Sequence, residues 1–251
     1  MMASKSTEGR LADLHTHSSD LDIHEPDVER CTLCAEFCGG STPLHLSMIA
    51  DAPPNRVLDQ SRNFAIVPSI GPLTRGHVMV VPRRHARSIL GMSGSELSEC
   101  ESLVRRCVDH LSSLYGKPAL IFEHGSAPAE LGYSGACIDH AHLHVVPGPL
   151  RFVDAVQKHY NGWKSGHRIP DLAAFVGSLP YLLVGSQGHE PPFFVMPNPD
   201  VVPAQFLRQL LASEIGQLPI WDWRHNPGRE TFLKTIADWS RVVSCQAMDR
   251  M

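Results

Sequence analysis

The 251-residue chain has no run of apolar residues approaching the roughly 18 that span a bilayer, so no membrane partner is expected. It has no excess of basic charge. Lys and Arg number 22 against 26 Asp and Glu, a formal net charge of -4, so general nucleic-acid binding is not expected. The first stretch, Met1 to Asp13, is polar and lacks the apolar core of a signal peptide, which points to a cytoplasmic protein. No internal repeat or low-complexity tract is present, which argues against a solenoid or a linker-like chain. Cysteine is sparse and odd in number, 7 in all, with two in the pair Cys31-Thr32-Leu33-Cys34. In a chain without an export signal that pair favours a metal over a disulfide. What remains is an ordinary globular composition, 43% hydrophobic, long enough for one large or two small domains.

Histidine is abundant, at 15 residues, and three of them alternate in one apolar run, His140-Ala-His142-Leu-His144-Val-Val-Pro147. In a β-strand alternate side chains share a face, so the spacing predicts three imidazoles on one side and Ala141, Leu143 and Val145 on the other. Each ring carries two polar nitrogens that need partners if buried. A row of them is better explained as a site than as filler.

Around this run the patterns alternate between strand and helix. Phe64 to Val67, His77 to Val81, Ala119 to Phe122 and Ile138 to Val146 read as strands. Residues 39–56, Pro68 to Gly76 and Glu123 to Gly135 read as loops. Ser93 with Glu96 three residues on fits a capping box, and Leu97, Val104, Val108, Leu111 and Leu114 follow at helical spacing to Gly116. Strands with a helix inserted between them predict an antiparallel α+β unit. Beyond Pro147, Tyr181 to Val184 and Phe193 to Met196 suggest a hairpin. One helix is expected after Pro203 and another from about Arg229. The expected organisation is a polar lead-in at 1–27, a catalytic domain at 28–150 and an α/β C-terminal extension at 151–251.

Three segments in order resemble the histidine-triad (HIT) superfamily of nucleotide hydrolases and nucleotidyl transferases: the Cys-x-x-Cys at Cys31 and Cys34, the strand Gly76 to Val81 with Pro82-Arg83-Arg84-His85, and the histidine run. They cover a little under half of the chain. The resemblance implies a half-barrel antiparallel sheet packed by helices. It implies that His142 attacks an α-phosphorus to form a nucleotidyl-histidine, that His144 binds phosphate oxygens, and that the His140 carbonyl orients the nucleophile. Its zinc-bearing branches imply that Cys31, Cys34, His85 and His140 hold a structural Zn²⁺, with Cys38 ranked below His85 as a ligand. The implied partner is a nucleotide or nucleotide conjugate. Small relatives dimerise through the helix and an edge strand, and the extension either preserves or blocks that homodimer here.

The transferase branches carry Gln where this chain has His144, which favours hydrolysis. A transferase with a non-water acceptor and a catalytically decayed nucleotide-binding module stay open. Several positions depart from the family pattern. Relatives have Gly-Gln-Ser where this chain has Gly135-Ala136-Cys137, and an Asn-containing segment where it has Glu123-His124-Gly125. Ser69 stands where relatives place an acid that grips ribose hydroxyls. By position, Ser69, Glu123, His124 and Cys137 are therefore the candidate substrate-binding residues, and their departures suggest a specialised substrate.

Two further motifs are weighed differently. Asp13-Leu14-His15-Thr16-His17 resembles the opening motif of metal-dependent phosphoesterases, but no βα pattern follows it. Trp221-Asp222-Trp223-Arg224 could stack on a base or sugar, although packing of the extension onto its core is the favoured reading.

Overall fold

The structure, a computed structural model, describes residues 31–37, 46–49, 51–128 and 135–248. The 1–27 lead-in, its Asp13–His17 motif and Cys38 lie outside the described residues. The architecture is α+β. Eight strands form one sheet: β1 (Asp59–Gln60), β2 (Phe64–Pro68), β3 (Val78–Pro82), β4 (Ala119–Gly125), β5 (Leu143–Pro147), β6 (Lys164–Gly166), β7 (Tyr181–Ser186) and β8 (Phe193–Pro197). Their order is β1-β2-β3-β5-β4-β7-β8-β6, and every neighbouring pair is antiparallel. The helices are α1 (Thr32–Phe37), α2 (Gly94–Tyr115), α3 (Arg151–Gln157), α4 (Ile169–Val176), α5 (Phe206–Glu214) and α6 (Arg229–Met248).

The central strands are buried throughout because both faces of the sheet are covered. On one face Val78, Val80, Ile121, Leu143 and Val145 pack against α2 through residues such as Leu103 and Leu111. On the other, Leu120, Phe122 and Val146 pack against α3 and α5 through Phe152, Leu207 and Leu211. Helix α2 has the expected capping box, with the Ser93 side chain accepting from the Glu96 N–H, and it ends at Gly116 in the left-handed conformation.

The histidine strand is shorter than its alternation suggests: its ladder begins at Leu143, opposite Val80. Extending that register would place Ala141 opposite Pro82, and Pro82 has no N–H to donate. The Ala141 N–H turns instead to the Ala86 carbonyl at 2.6 Å. Strand β4, in contrast, runs through Glu123 and His124 to Gly125, a segment that reads as loop in the sequence. The reason is tertiary: β7 pairs along β4 from Leu120 opposite Ser186 to Gly125 opposite Tyr181.

The extension is thus continuous with the sheet. Strands β7, β8 and β6 add to the edge of β4, and the expected hairpin is present as the β7–β8 pair. Helix α5 starts at Phe206 rather than at Pro203, because Gln205 takes a left-handed conformation (φ 56°). Helix α6 begins at Arg229, and its Asp238 accepts from Tyr115 Oη at 2.9 Å and pairs with Arg75.

Candidate active site

The β5 face that carries His144 meets a cavity between the sheet and the extension. His142, His144, Ser69 and Cys137 line it, joined by Arg56, Arg208 and Trp223. It holds about 410 Å³ of open space, part of it continuous with solvent. Among the described residues no carboxylate lines it, although Glu36 ion-pairs with Arg56 through two hydrogen bonds of 2.6 and 2.8 Å.

Backbone partners settle which nitrogen of each imidazole carries the proton. His142 Nδ1 lies 2.7 Å from the His140 carbonyl, which can only accept, so Nδ1 donates and Nε2 keeps the lone pair. His77 Nδ1 accepts from the Leu73 N–H at 3.1 Å, so neutral His77 carries its proton on Nε2. That proton is donated to His144 Nδ1 at 2.9 Å, which leaves His144 with its proton on Nε2. The two triad rings that line the cavity therefore differ in kind: His142 offers a base and His144 a donor. Their ring centroids are 5.0 Å apart. His144 also stacks on Phe122, its cross-strand partner, with centroids 4.6 Å apart.

Burial keeps these rings neutral. It lowers the pKa of His142, against the hydrogen bond to the His140 carbonyl that raises it, and it lowers those of His77 and His144 well below the ordinary value, with smaller contributions from Arg208 and neighbouring imidazoles.

Period two divides the neighbours Glu123 and His124. His124 shares the triad face with Phe122. Its Nε2 accepts from the Leu207 N–H at 3.3 Å, at the start of α5, and burial lowers its pKa to about 3. Glu123 turns to the opposite face, with Ile121. There its carboxyl accepts from the Ile89 N–H at 2.9 Å and from Tyr181 Oη at 2.5 Å. The structure therefore brings Ser69 and Cys137 to the cavity, sets His124 behind it as a support for α5, and places Glu123 away from it. The carboxylate expected beside a phosphate is instead a buried brace between β4, β7 and residues 89–90.

His140 belongs to a second constellation. Ligand atoms of Cys31, Cys34, His85 and His140 all lie within 4.8 Å of one another. His140 Nδ1 is 3.2 Å from Cys31 Sγ and 3.5 Å from Cys34 Sγ, while His85 Nδ1 is 3.4 Å from Cys34 Sγ. His140 Nε2 donates to the Pro82 carbonyl at 2.9 Å, which turns the lone pair of Nδ1 toward the thiols. The Cys34 N–H in turn points at Cys31 Sγ at 3.4 Å. Helix α1 supplies Cys34, the segment after β3 supplies His85, and the approach to β5 supplies His140. Two soft thiol ligands and two imidazoles, gathered in a buried pocket with no carboxylate in the cluster, match the tetrahedral preference of zinc.

Sequence reasoning missed Arg208 altogether. It also missed Arg56, and it favoured packing over substrate contact for Trp223. The Trp223 ring does pack on the Ile49–Ile70–Phe232 cluster, yet it also lines the cavity, where its Nε1 donates to Cys137 Sγ at 3.4 Å. Nothing in the spacing of these residues marks them, since α5 and the 221–226 turn reach the triad only through the fold.

Residues 51–149 match the HIT domain family. Similar solved structures include a hypothetical histidine triad nucleotide-binding protein from Sulfolobus tokodaii. It is 18% identical, with 47% of this chain and 68% of that one covered and a TM-score of 0.35. A Zn-bound histidine triad family protein from Mycobacterium smegmatis is 23% identical over 49% of this chain and 78% of that one, with a TM-score of 0.38. A HIT family protein from Bacillus anthracis is 18% identical over 47% and 73%, with a TM-score of 0.36. No curated protein matches the chain.

Proposed function

From the premise that residues 51–149 are a HIT domain, we propose that the protein is a nucleotide phosphohydrolase that works at an α-phosphorus through a nucleotidyl-histidine. The observation that carries this reading is the opposed protonation of the two cavity rings. Nε2 of His142 bears a lone pair, and Nε2 of His144 bears a proton. A neutral imidazole is a competent nucleophile near neutral pH. In the first step His142 Nε2 forms a bond to phosphorus, and the leaving group departs with the electron pair of its own bond. The proton stays on His142 Nδ1, hydrogen-bonded to the His140 carbonyl, and the positive charge that develops is spread over the ring and met by that oxygen. His144 donates from Nε2 to an oxygen of the phosphoryl group, where negative charge builds. In the second step water attacks phosphorus, the P–N bond breaks, and the water proton passes to solvent. His140 takes part through its carbonyl, while its ring faces the cysteines.

Cys31, Cys34, His85 and His140 would hold a structural Zn²⁺. A closed four-ligand set supplies no open coordination position, so the metal would act as a clamp between α1 and the approach to β5. Through His140 that clamp fixes the carbonyl on which His142 is oriented. Elemental analysis should find one zinc per chain. Cys34→Ser should lose the metal and melt at a lower temperature. A zinc-free wild type that is equally stable would remove the clamp from this reading.

The test of the reaction is intact-protein mass spectrometry after brief mixing with nucleoside phosphoramidates, dinucleoside polyphosphates and nucleotide sugars. A nucleotide-sized adduct that His142→Ala abolishes is the expected result. Binding without adduct or turnover across the panel would sink the hydrolase in favour of a nucleotide-binding module. Incorporation of heavy oxygen from labelled water into the product distinguishes hydrolysis from transfer to another acceptor.

A further inference from the structure

Arg208 is 3% exposed, lies on α5 in the C-terminal extension, and lines the cavity beside His142 and His144. Its hydrogen bonds go to two main-chain carbonyls: Nε donates to Trp221 at 3.0 Å and Nη2 to Gly71 at 2.5 Å. These are neutral acceptors. Asp222, in the 221–226 turn, attracts Arg208 without a hydrogen bond to it and is engaged by Arg224, His225 and Gln205. Arg56, the other buried arginine among the described residues lining the cavity, differs in having a carboxylate, Glu36. A guanidinium withdrawn from water with no described anion hydrogen-bonded to it is costly, and burial lowers even its high pKa to about 10, against the attraction of Asp222.

The fold invests in placing this residue. Gly71, whose carbonyl holds Nη2, has a φ of +62°, and a Cβ there would fall 2.4 Å from Trp223 Cβ. Gly135 has a φ of +80°, and a Cβ there would fall 2.5 Å from the Pro203 carbonyl. Two positive-φ glycines in the triad-bearing half thus let the 202–203 and 221–223 segments approach closely. The Gln205 N–H then bonds the Gly135 carbonyl at 2.9 Å, and His124 receives the Leu207 N–H, one residue before Arg208.

We propose that Arg208 is the anion anchor of the cavity, a substrate-binding residue contributed by the extension that takes an anionic phosphoryl oxygen of the ligand. The proposal rests on the reading of the triad as a phosphorus-directed site and deepens it. The substrate carries a charged phosphate group, and residues 151–251 complete the site instead of merely covering it. The planar guanidinium keeps its two carbonyl bonds on Nε and one Nη2 proton, and it can present Nη1 to an oxyanion. A phosphate would also bring the negative charge that the arginine lacks, while His144 meets a second oxygen from its Nε2–H.

The test uses calorimetric titration of the full chain with inorganic pyrophosphate and with paired nucleosides and nucleoside monophosphates. The wild type should bind pyrophosphate and prefer each monophosphate to its nucleoside. Arg208→Gln should bind both anions weaker by about tenfold or more, with nucleoside affinity unchanged. Arg208→Lys retains the charge without the fork and should fall between, and it serves as the informative variant should the Gln protein fail to fold. His142→Ala should keep the monophosphate preference while losing the covalent adduct. Absence of anion binding by the wild type, or anion affinity in Arg208→Gln equal to that of the wild type, overturns the anchor. The two readings separate cleanly. Anion binding that depends on Arg208 with no His142 adduct leaves the anchor standing and removes the reaction. An adduct that forms equally fast in Arg208→Gln does the reverse.

Discussion

At the scale of the residue, main-chain partners decide the chemistry of the imidazoles. His142, His77, His124 and His140 each have one ring nitrogen committed to a backbone N–H or C=O, and His144 inherits its state from His77. The alternation of the triad was legible from sequence, but the division of labour was not, because it depends on Leu73, Pro82 and Leu207, which reach the rings only in the fold. Glu123 shows the limit of reading by position. It sits where a phosphate contact was expected, yet the pleat turns it to the α2 face, where burial raises its pKa from 4.5 to about 7. In the folded state it holds a proton that the unfolded chain has already released between those values. Its protonated form is favoured on folding, so the contribution of Glu123 to stability is full below about pH 4.5 and is lost as pH rises to about 7, by about 3 kcal/mol in all. Glu123→Gln should flatten that part of the pH profile relative to the wild type. Urea midpoints measured between pH 4.5 and 8 check this, and parallel profiles for the two proteins would contradict it.

At the scale of the element, strand ends were set by partners. Pro82 ends the ladder opposite Ala141, and β7 prolongs β4 past Phe122. Helix α2 was legible at both ends, since Ser93, Glu96 and Gly116 are local signals that act within one turn. Short elements such as α1, α3, α4, β1 and β6 carry too few residues for a period to show. The turn around Gly71 is where two elements meet, and its substitution is the sharpest test of their docking. Gly71→Ala must accommodate a Cβ against Trp223 at a left-handed backbone position, and should cost about 1–3 kcal/mol. Thermal unfolding gives the stability loss. The expected accompaniment is a change in Trp223 fluorescence, and an unchanged spectrum at wild-type stability would show that the extension does not lean on this turn.

At the scale of the whole molecule, the extension and the triad-bearing half share one sheet. The outer edge of β4 is covered by β7, and α4 packs beside α2. The chain thus supplies its own neighbour along β4, and that edge is not free to pair with another strand. Truncation after Gly148 would bare the backbone of β4 and the apolar residues Leu120 and Phe122 beneath α3 and α5. Residues 1–148 alone should aggregate or self-associate, where the full chain remains dispersed. Sedimentation of the two proteins at equal concentration checks this, and a stable truncated monomer would mean that the extension is dispensable for folding. No helix among the described residues is long and apolar enough to cross a membrane.

The sequence by itself determined the triad, the Cys-x-x-Cys pair, the capped helix and the α+β class. Each of these is written in spacings of two to four residues, or in short motifs whose chemistry is local. Only the tertiary structure decided that Arg208 and Trp223 stand at the triad, that Glu123 faces away from it, and that β6, β7 and β8 continue the sheet. Those outcomes depend on which strand pairs with which edge and on two glycines that permit close approach. Pairings between residues more than fifty positions apart leave no periodic trace along the chain.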